Sequence, residues 1–318
     1  IDRALITDSS YESIENTDRI ALLRLKAGIH FLYDQPDEIN DCLKKARTLL
    51  NSGNVVNAPY YITCITSLSL WCEGRFFEAA EHASIAINQA AIAGYSSISA
   101  PFDAYMVLAR CQLELSQIDK AIETSTLLFE KSSESNIWPW ALMAEGTCAR
   151  IRITMGQIPQ MMAVIEQQRE RLHEIKAPHE LSWLIDVSEV FLRFVLDDWD
   201  RTEELLKRMP KIEMVRQMDM NVKFQSDPKK IPSFVEGLPE NTPREKVSKF
   251  LYQATINMDS ENLALGYLNK ALDVGAEVGY HEYFVRQHRL YPIMVKAAAA
   301  QPTVFRESVV HEMTERIQ

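Results

Sequence analysis

Glycine is scarce in this chain: ten residues in 318, where an average protein carries about 7%. Proline is slightly sparse as well, with thirteen against an average of about 5%. Set beside abundant Ala, Leu, Glu, Gln and Met, this favours helix, because those side chains lose little rotamer freedom there. Cysteine is limited to five, an odd number with no Cys-x-x-Cys pair. That argues against a disulfide framework and for a reducing, cytoplasmic setting. No stretch approaches the roughly 20 apolar residues of a membrane span. The start, IDRALITDSSYE, has neither the basic nor the apolar region of a signal peptide. Cations are outnumbered, 34 Lys and Arg against 44 Asp and Glu. The formal charge of −10 repels phosphate backbones, so no direct nucleic-acid contact is expected. Arg286, His288 and Arg289 read as a solvated face. The chain opens on Ile1 rather than on methionine, as an excised piece of a larger protein would.

Catalytic patterns are missing too. There is no G-x-x-x-x-G-K-[ST] phosphate loop and no G-x-S-x-G elbow. His281-Glu282 begins like a zincin motif, but the next histidine is His288, seven residues on rather than four. Seven residues put two side chains two helical turns apart, too far to share a zinc. Cys64 and Cys72, eight apart, fail in the same way and read with Cys111 and Cys148 as small apolar core residues. His82 reads as a surface residue, and Asp197-Asp198 as a helix end and the cap of the next helix. No enzyme, metal or cofactor is expected in this segment.

What is present is a repeat. Take Gly74 as a marker and read +5, +9 and +12: Ala79, Ala83 and Ala86. The same steps from Ser116 give Ala121, Ser125 and Leu128, and from Asp259 give Ala264, Leu268 and Ala271. Asp34, Gly156, Asp197 and Ser226 start further copies, with Gln168 as the polar exception. Steps of five, four and three keep each set on one stripe of a helix. The markers at 34, 74, 116, 156, 197, 226 and 259 are separated by 40, 42, 40, 41, 29 and 33 residues. All are Gly, Ser or Asp, suited to a left-handed helix end and to capping the next helix. A second helical pattern precedes each marker, so every unit is a helix hairpin that buries its apolar face only by stacking. The expected fold is all-α: a right-handed superhelical solenoid of about seven helix hairpins in one domain, 1–318. Regular repeats fill 1–212, a distorted short hairpin 213–243, and a last repeat with closing helices 244–318. A loop is expected over 275–280, with Phe76 and Phe77 both seating their helix.

The Gly, aromatic and Ala spacing resembles the tetratricopeptide repeat, lengthened to about 40 residues. Towards the end, FQSDPKKIPSFVEGLPENTP and KFLYQATINMDSENLALGYLNKALDVGAEVGYHEYFVRQHRLYPIMVKAA resemble the last repeats of the MalT-type large ATP-binding regulators of the LuxR class. The matching positions are Asp227-Pro228, Leu238-Pro239, Gly279-Tyr280 and Phe284. After the Phe that family usually continues with an acidic residue and a glycine, where this chain has Val285-Arg286-Gln287-His288. The resemblance implies a sensor and assembly segment lying between an upstream ATP-binding domain and a downstream helix-turn-helix reader. ATP is then the cofactor of the upstream domain, and self-association a property of the full-length protein.

In such an array the first helices line the concave face. Six residues before the markers come Arg110 and Arg150; thirteen before, Tyr61 and Asp103; three before, Phe31, Trp71 and Phe194. Tyr61, Trp71, Asp103, Arg110 and Arg150 are the candidate ligand-binding residues. Stacked arginines could grip an anion or a partner's carboxylate, and aromatics could stack on a flat ligand. Alternatively the arginines pair with acids of adjacent helices and the aromatics fill the core. The expected function is effector sensing and protein interaction within a multidomain regulator, with a small-molecule inducer or protein partner in the groove. The competing expectation is a free-standing adaptor that binds a protein or peptide.

Overall fold

A computed structural model of the chain describes residues 16–51, 58–96, 99–174, 181–212, 215–216, 218–219, 222–223 and 235–317. Five of the marker residues decide where the chain turns. Asp34, Gly74, Ser116, Gly156 and Asp197 all take left-handed backbone, with φ of 50°, 81°, 55°, 71° and 54°. Around each, the marker N–H returns to the carbonyl three residues back and the next N–H to the carbonyl five back. At Gly74 these bonds are Gly74 to Trp71 and Arg75 to Leu70, both 3.0 Å. At Ser116 they are 3.0 Å to Leu113 and, from Gln117, 2.7 Å to Gln112. The same Schellman closure, repeated five times, satisfies the last carbonyls of each first helix and reverses the chain.

The expected side-chain capping is mostly absent. Of the N-caps that follow these turns, Arg75 and Gln117 make no cap bond, while Asp198 accepts from Arg201 N at 3.3 Å. The Asp34 and Ser116 side chains are used elsewhere, as described below. Asp259 also departs from expectation: its turn contains no left-handed residue, and Ser260 is the N-cap that follows.

Among the described residues there are fifteen α-helices and no strand. The first ten are α1 Asn16–Leu32, α2 Pro36–Asn51, α3 Ala58–Glu73, α4 Phe76–Ala93, α5 Phe102–Glu114, α6 Ile118–Glu134, α7 Trp138–Thr154, α8 Ile158–Glu174, α9 Ser182–Val195 and α10 Trp199–Arg208. After 235 come α11 Pro243–Ile256, α12 Glu261–Val278, α13 His281–Val285, α14 Tyr291–Ala300 and α15 Val304–Ile317. Much of the expected distorted hairpin at 213–243 lies outside the described residues, as do Ile231 and the Asp227-Pro228 motif.

The contact stripe is buried in the copies that follow Asp34, Gly74, Ser116, Gly156, Asp197 and Asp259, while in the copy after Ser226 Val235 is buried and Leu238 half-buried. Ala79, Ala83, Ala86, Ala121, Ser125 and Leu128 are fully buried, and so are Ala264, Leu268 and Ala271. Gln168, the polar exception, is buried with Met161 and Ile165. Small residues at these positions let helices approach closely, and the close approach in turn removes apolar surface from water. First helices form an inner row in which α1 packs on α3, α3 on α5, α5 on α7 and α7 on α9. Each second helix sits outside that row, wedged against the next first helix: α2 on α3, α4 on α5, α6 on α7 and α8 on α9.

The C-terminal helices return to the start of the row. From them, α11 packs on α3 and α13 packs on α5, and one hydrophobic core runs from Ile20 to Met313. The expected loop at 275–280 is shorter, because α12 continues to Val278 with Gly275 buried inside it. Glycine is required there: a Cβ would lie 2.3 Å from Phe284 Cε2. Phe76 is buried, but Phe77 is 53% exposed, so only one of the two seats its helix. No helix among the described residues is long and apolar enough to cross a membrane.

Candidate functional site

Equal spacing from the turns aligns residues of α3, α5 and α7 along one wall, but it does not gather the five candidates at one place. Tyr61 and Trp71 are ten residues apart on α3, about 15 Å along the axis. The candidates fall into two groups.

Tyr61 and Asp103 belong to the end far from the turns, where both are buried. The two Asp103 carboxylate oxygens accept from Arg24 Nε at 2.8 Å and Nη2 at 2.7 Å. Arg24 also donates to the Ala100 carbonyl at 2.5 Å. Burial alone would lower the Arg24 pKa, yet Asp103 holds it well above its ordinary value. Tyr61 packs among Tyr60 and Tyr95, with ring centroids 5.0 Å and 6.3 Å away. These two candidates are fastened into the core.

Trp71, Arg110 and Arg150 do come together at the turn end. The Arg110 guanidinium lies 5.3 Å from the Phe31 ring and 5.2 Å from the Trp71 ring. Its Nε is buried, and nothing among the described residues hydrogen-bonds or ion-pairs with the side chain. Burial beside the like charges of Arg150 and Arg244 pushes Arg110 down to about 9, well below the ordinary arginine value. Arg150 donates to Glu114 Oε1 at 3.4 Å and lies 4.9 Å from the Phe191 ring. Burial and Arg286 push it down to about 10, against the pull of Glu114 and Glu282. Trp71 is buried against Phe31 in an edge-on pair at 5.1 Å, and its indole N–H has no acceptor among the described residues.

The opposite wall comes from the C-terminal helices. Arg244 of α11 lies over Trp71 at 4.5 Å and reaches Asp34 at 3.3 Å. Arg286 donates to both Glu114 oxygens at 3.0 Å, which corrects its reading as a solvated residue; His288 and Arg289 are exposed as expected. Glu282, fully buried, accepts from both terminal nitrogens of Arg316 at 2.8 Å. His281 bridges Ser116 Oγ at 2.7 Å and Ser308 Oγ at 2.9 Å. Burial lowers its pKa, opposed by Glu312 and Glu282 and aided by Arg316. Tyr280 packs on Phe76 at 4.5 Å, with its hydroxyl lying over Gly74. Three turn residues therefore receive the C-terminal helices: Asp34 through Arg244, Gly74 through Tyr280, and Ser116 through His281.

The arrangement can bind, and its chemistry is that of hydrogen-bond donors and π faces. The buried thiols are held protonated: burial pushes Cys42 up to about 11 and Cys72 to about 12, and raises Cys111 well above its ordinary value. No group of three or more His, Cys, Asp and Glu side chains among the described residues is placed to hold a metal. An outer cleft of about 470 Å³ between α2 and α3 is lined by Asn40, Lys44, Arg47, Ser69 and Glu73 among others; none of the five candidates borders it. A comparison with protein-family models finds no match for the chain, and a comparison with curated proteins finds none either.

Sequence reasoning omits Glu114, Tyr280, Arg244 and Arg286 from the site. Glu114 was within reach of it: it follows Arg110 by four residues, so both project from one face of α5. The other three lie far along the chain from the wall they meet, and no local spacing reports that pairing.

Proposed function

We propose that this chain is the effector-sensing and protein-interaction segment of a multidomain, ATP-dependent transcriptional regulator. It is built as a right-handed superhelical array whose inner groove receives a small-molecule inducer or a partner. The observation that carries this reading is the turn-end wall of Trp71, Arg110 and Arg150. Arg110 and Arg150 share one register of successive repeats, with Trp71 three residues nearer its own marker, and Arg150 is 19% exposed despite its helical surroundings. The residues behind the family resemblance support it as well. Gly279, at φ +91°, lies against Leu115 and Phe77, Tyr280 enters beside Gly74, and Phe284 is buried against Phe305 at 5.8 Å. They are the residues that seat the C-terminal helices on α3 and α5.

An effector that binds the wall more tightly in one placement of those helices than in another shifts the balance between the two. Flanking domains would read that shift, and ATP hydrolysis and operator binding belong to them. The test is a thermal-shift screen of small metabolites on the purified chain, repeated with Arg110→Ala and Arg150→Ala. A hit should stabilise the wild type and lose its effect in both variants. Equal stabilisation of all three proteins removes the groove from the reading, and ATPase activity in the purified chain removes the assignment to a sensor segment.

A further inference from the structure

The turn-end wall carries more positive charge than the protein supplies acids to neutralise. Arg110, Arg150, Arg244 and Arg286 converge there, and the carboxylates facing them are Asp34, Glu114 and Glu282, the last 3.6 Å from Arg286. Widening the perimeter to Arg316 and Glu312 still leaves five guanidinium groups against four carboxylates. This excess sits inside a chain whose overall charge is −10, so it is a local arrangement rather than a property of the surface.

The shortfall is concentrated on one side chain. Arg286 and Arg150 share Glu114, and Arg244 has Asp34. Arg110 has two aromatic faces and no acceptor among the described residues. Burying a charge without a hydrogen-bonded counter-charge is among the more costly things a fold can do. The depressed pKa of Arg110 expresses that cost. Two more donors beside it are also buried without acceptors: the Nε of Arg150 and the indole N–H of Trp71. The region nevertheless admits solvent, since the side chains of Arg244 and Arg286 are 27% and 29% exposed. Unsatisfied donors, excess positive charge and solvent access together describe a site for an oxyanion.

We infer that the interior between α3, α5, α7 and the C-terminal helices binds the phosphate group of a phosphorylated small molecule, through Arg110, Arg150 and Trp71. Guanidinium forks suit phosphate oxygens, which accept several donors at once and present none that would need an acceptor here. The inner quartet exceeds its three carboxylates by one charge, and phosphate offers more acceptor oxygens than a carboxylate to the three donors left without acceptors. The inference rests on the groove being the effector site, and it narrows the effector's chemistry.

Titration calorimetry with inorganic phosphate at about pH 7.5, where phosphate is mostly dianionic, tests it. The wild-type chain should show saturable binding. Arg110→Met, which keeps length and removes the charge, should weaken it about tenfold or more, the worth of one charge-assisted hydrogen bond. Arg47→Met, on the outer cleft, should bind as the wild type does. Thermal shifts in phosphate, acetate and chloride at equal ionic strength give a second reading that needs no variant, and phosphate should stabilise most. The proposal is overturned by equal stabilisation in all three salts, or by equal phosphate binding in Arg110→Met and Arg47→Met. A neutral metabolite that stabilises the chain through Arg110 and Arg150 while phosphate does nothing would leave the groove standing as an effector site and remove only the anion.

Discussion

Gly74→Ala should cost far more than a turn glycine ordinarily would, and the structure says how much more. Two terms add. The first is backbone: φ is +81°, and an L-residue held in left-handed backbone costs about 1–2 kcal/mol. The second is steric. A Cβ at this position lies 2.6 Å from Tyr280 Oη, 2.8 Å from Tyr280 Cε2 and 3.0 Å from Arg244 Cβ. Tyr280 is buried against Phe76, and forced overpacking of this kind costs about 1–3 kcal/mol. Gly156 isolates the first term, since it has φ +71° and nothing within 4 Å of its Cβ position. Gly156→Ala should therefore cost only the backbone share, and Gly74→Ala should exceed it by about 1–3 kcal/mol. A helical array need not unfold in one step, so the assay is hydrogen exchange read locally. Opening of α13 and of the end of α3 should become easier in Gly74→Ala, while α13 is unaffected by Gly156→Ala. Tyr280→Leu removes the two nearest of the three atoms that the new Cβ meets, so the double variant should recover at least about 1 kcal/mol of coupling. Equal costs for the two glycine variants, with no coupling to Tyr280, would refute the reasoning.

Three further outcomes are expected. Arg24→Met should destabilise by about 3–5 kcal/mol by stranding Asp103, while Arg24→Met with Asp103→Leu should recover most of that loss in denaturant titrations; equal single and double costs would count against the pair. Arg110→Met without added anion should raise thermal stability, because it removes a half-buried guanidinium that is crowded by Arg150 and Arg244 and whose Nε has no acceptor among the described residues; a drop in melting temperature contradicts that account. The third concerns His281, whose neighbours are Ser116, Ser308, Glu282, Glu312, Arg316 and the Phe305 ring. Its pKa is lowered below the ordinary 6.5, so as pH falls past that value the unfolded chain takes up a proton that the folded one resists. Stability is lost in that window, and melts across a pH series should show a smaller loss in His281→Gln.

The five left-handed turns and the stripes beneath them are legible in sequence because both are local. A Gly, Ser or Asp every forty residues and small residues at fixed steps after it need no knowledge of the rest of the chain. Even Gln168 obeys its position rather than its polarity. Asp103 is different: nothing near it in sequence announces Arg24, 79 residues away. Arg286 misleads for the same reason, because its partner Glu114 is 172 residues distant. Gly275 reads as a loop residue until the Phe284 ring is seen to occupy the space of its missing side chain. Periodicity thus reports the rows of helices, and it is silent about the closure of the C-terminal helices onto them.

That closure also orders events during synthesis. Ser116 meets His281 only after 165 further residues have been made, and at roughly 5–20 residues per second that is about 8–30 seconds. For that interval the early hairpins stand on the ribosome with Arg110, Trp71 and Phe76 uncovered. The surface that the closing helices will cover is made long before they are, and until then its aromatic rings and guanidinium groups face water.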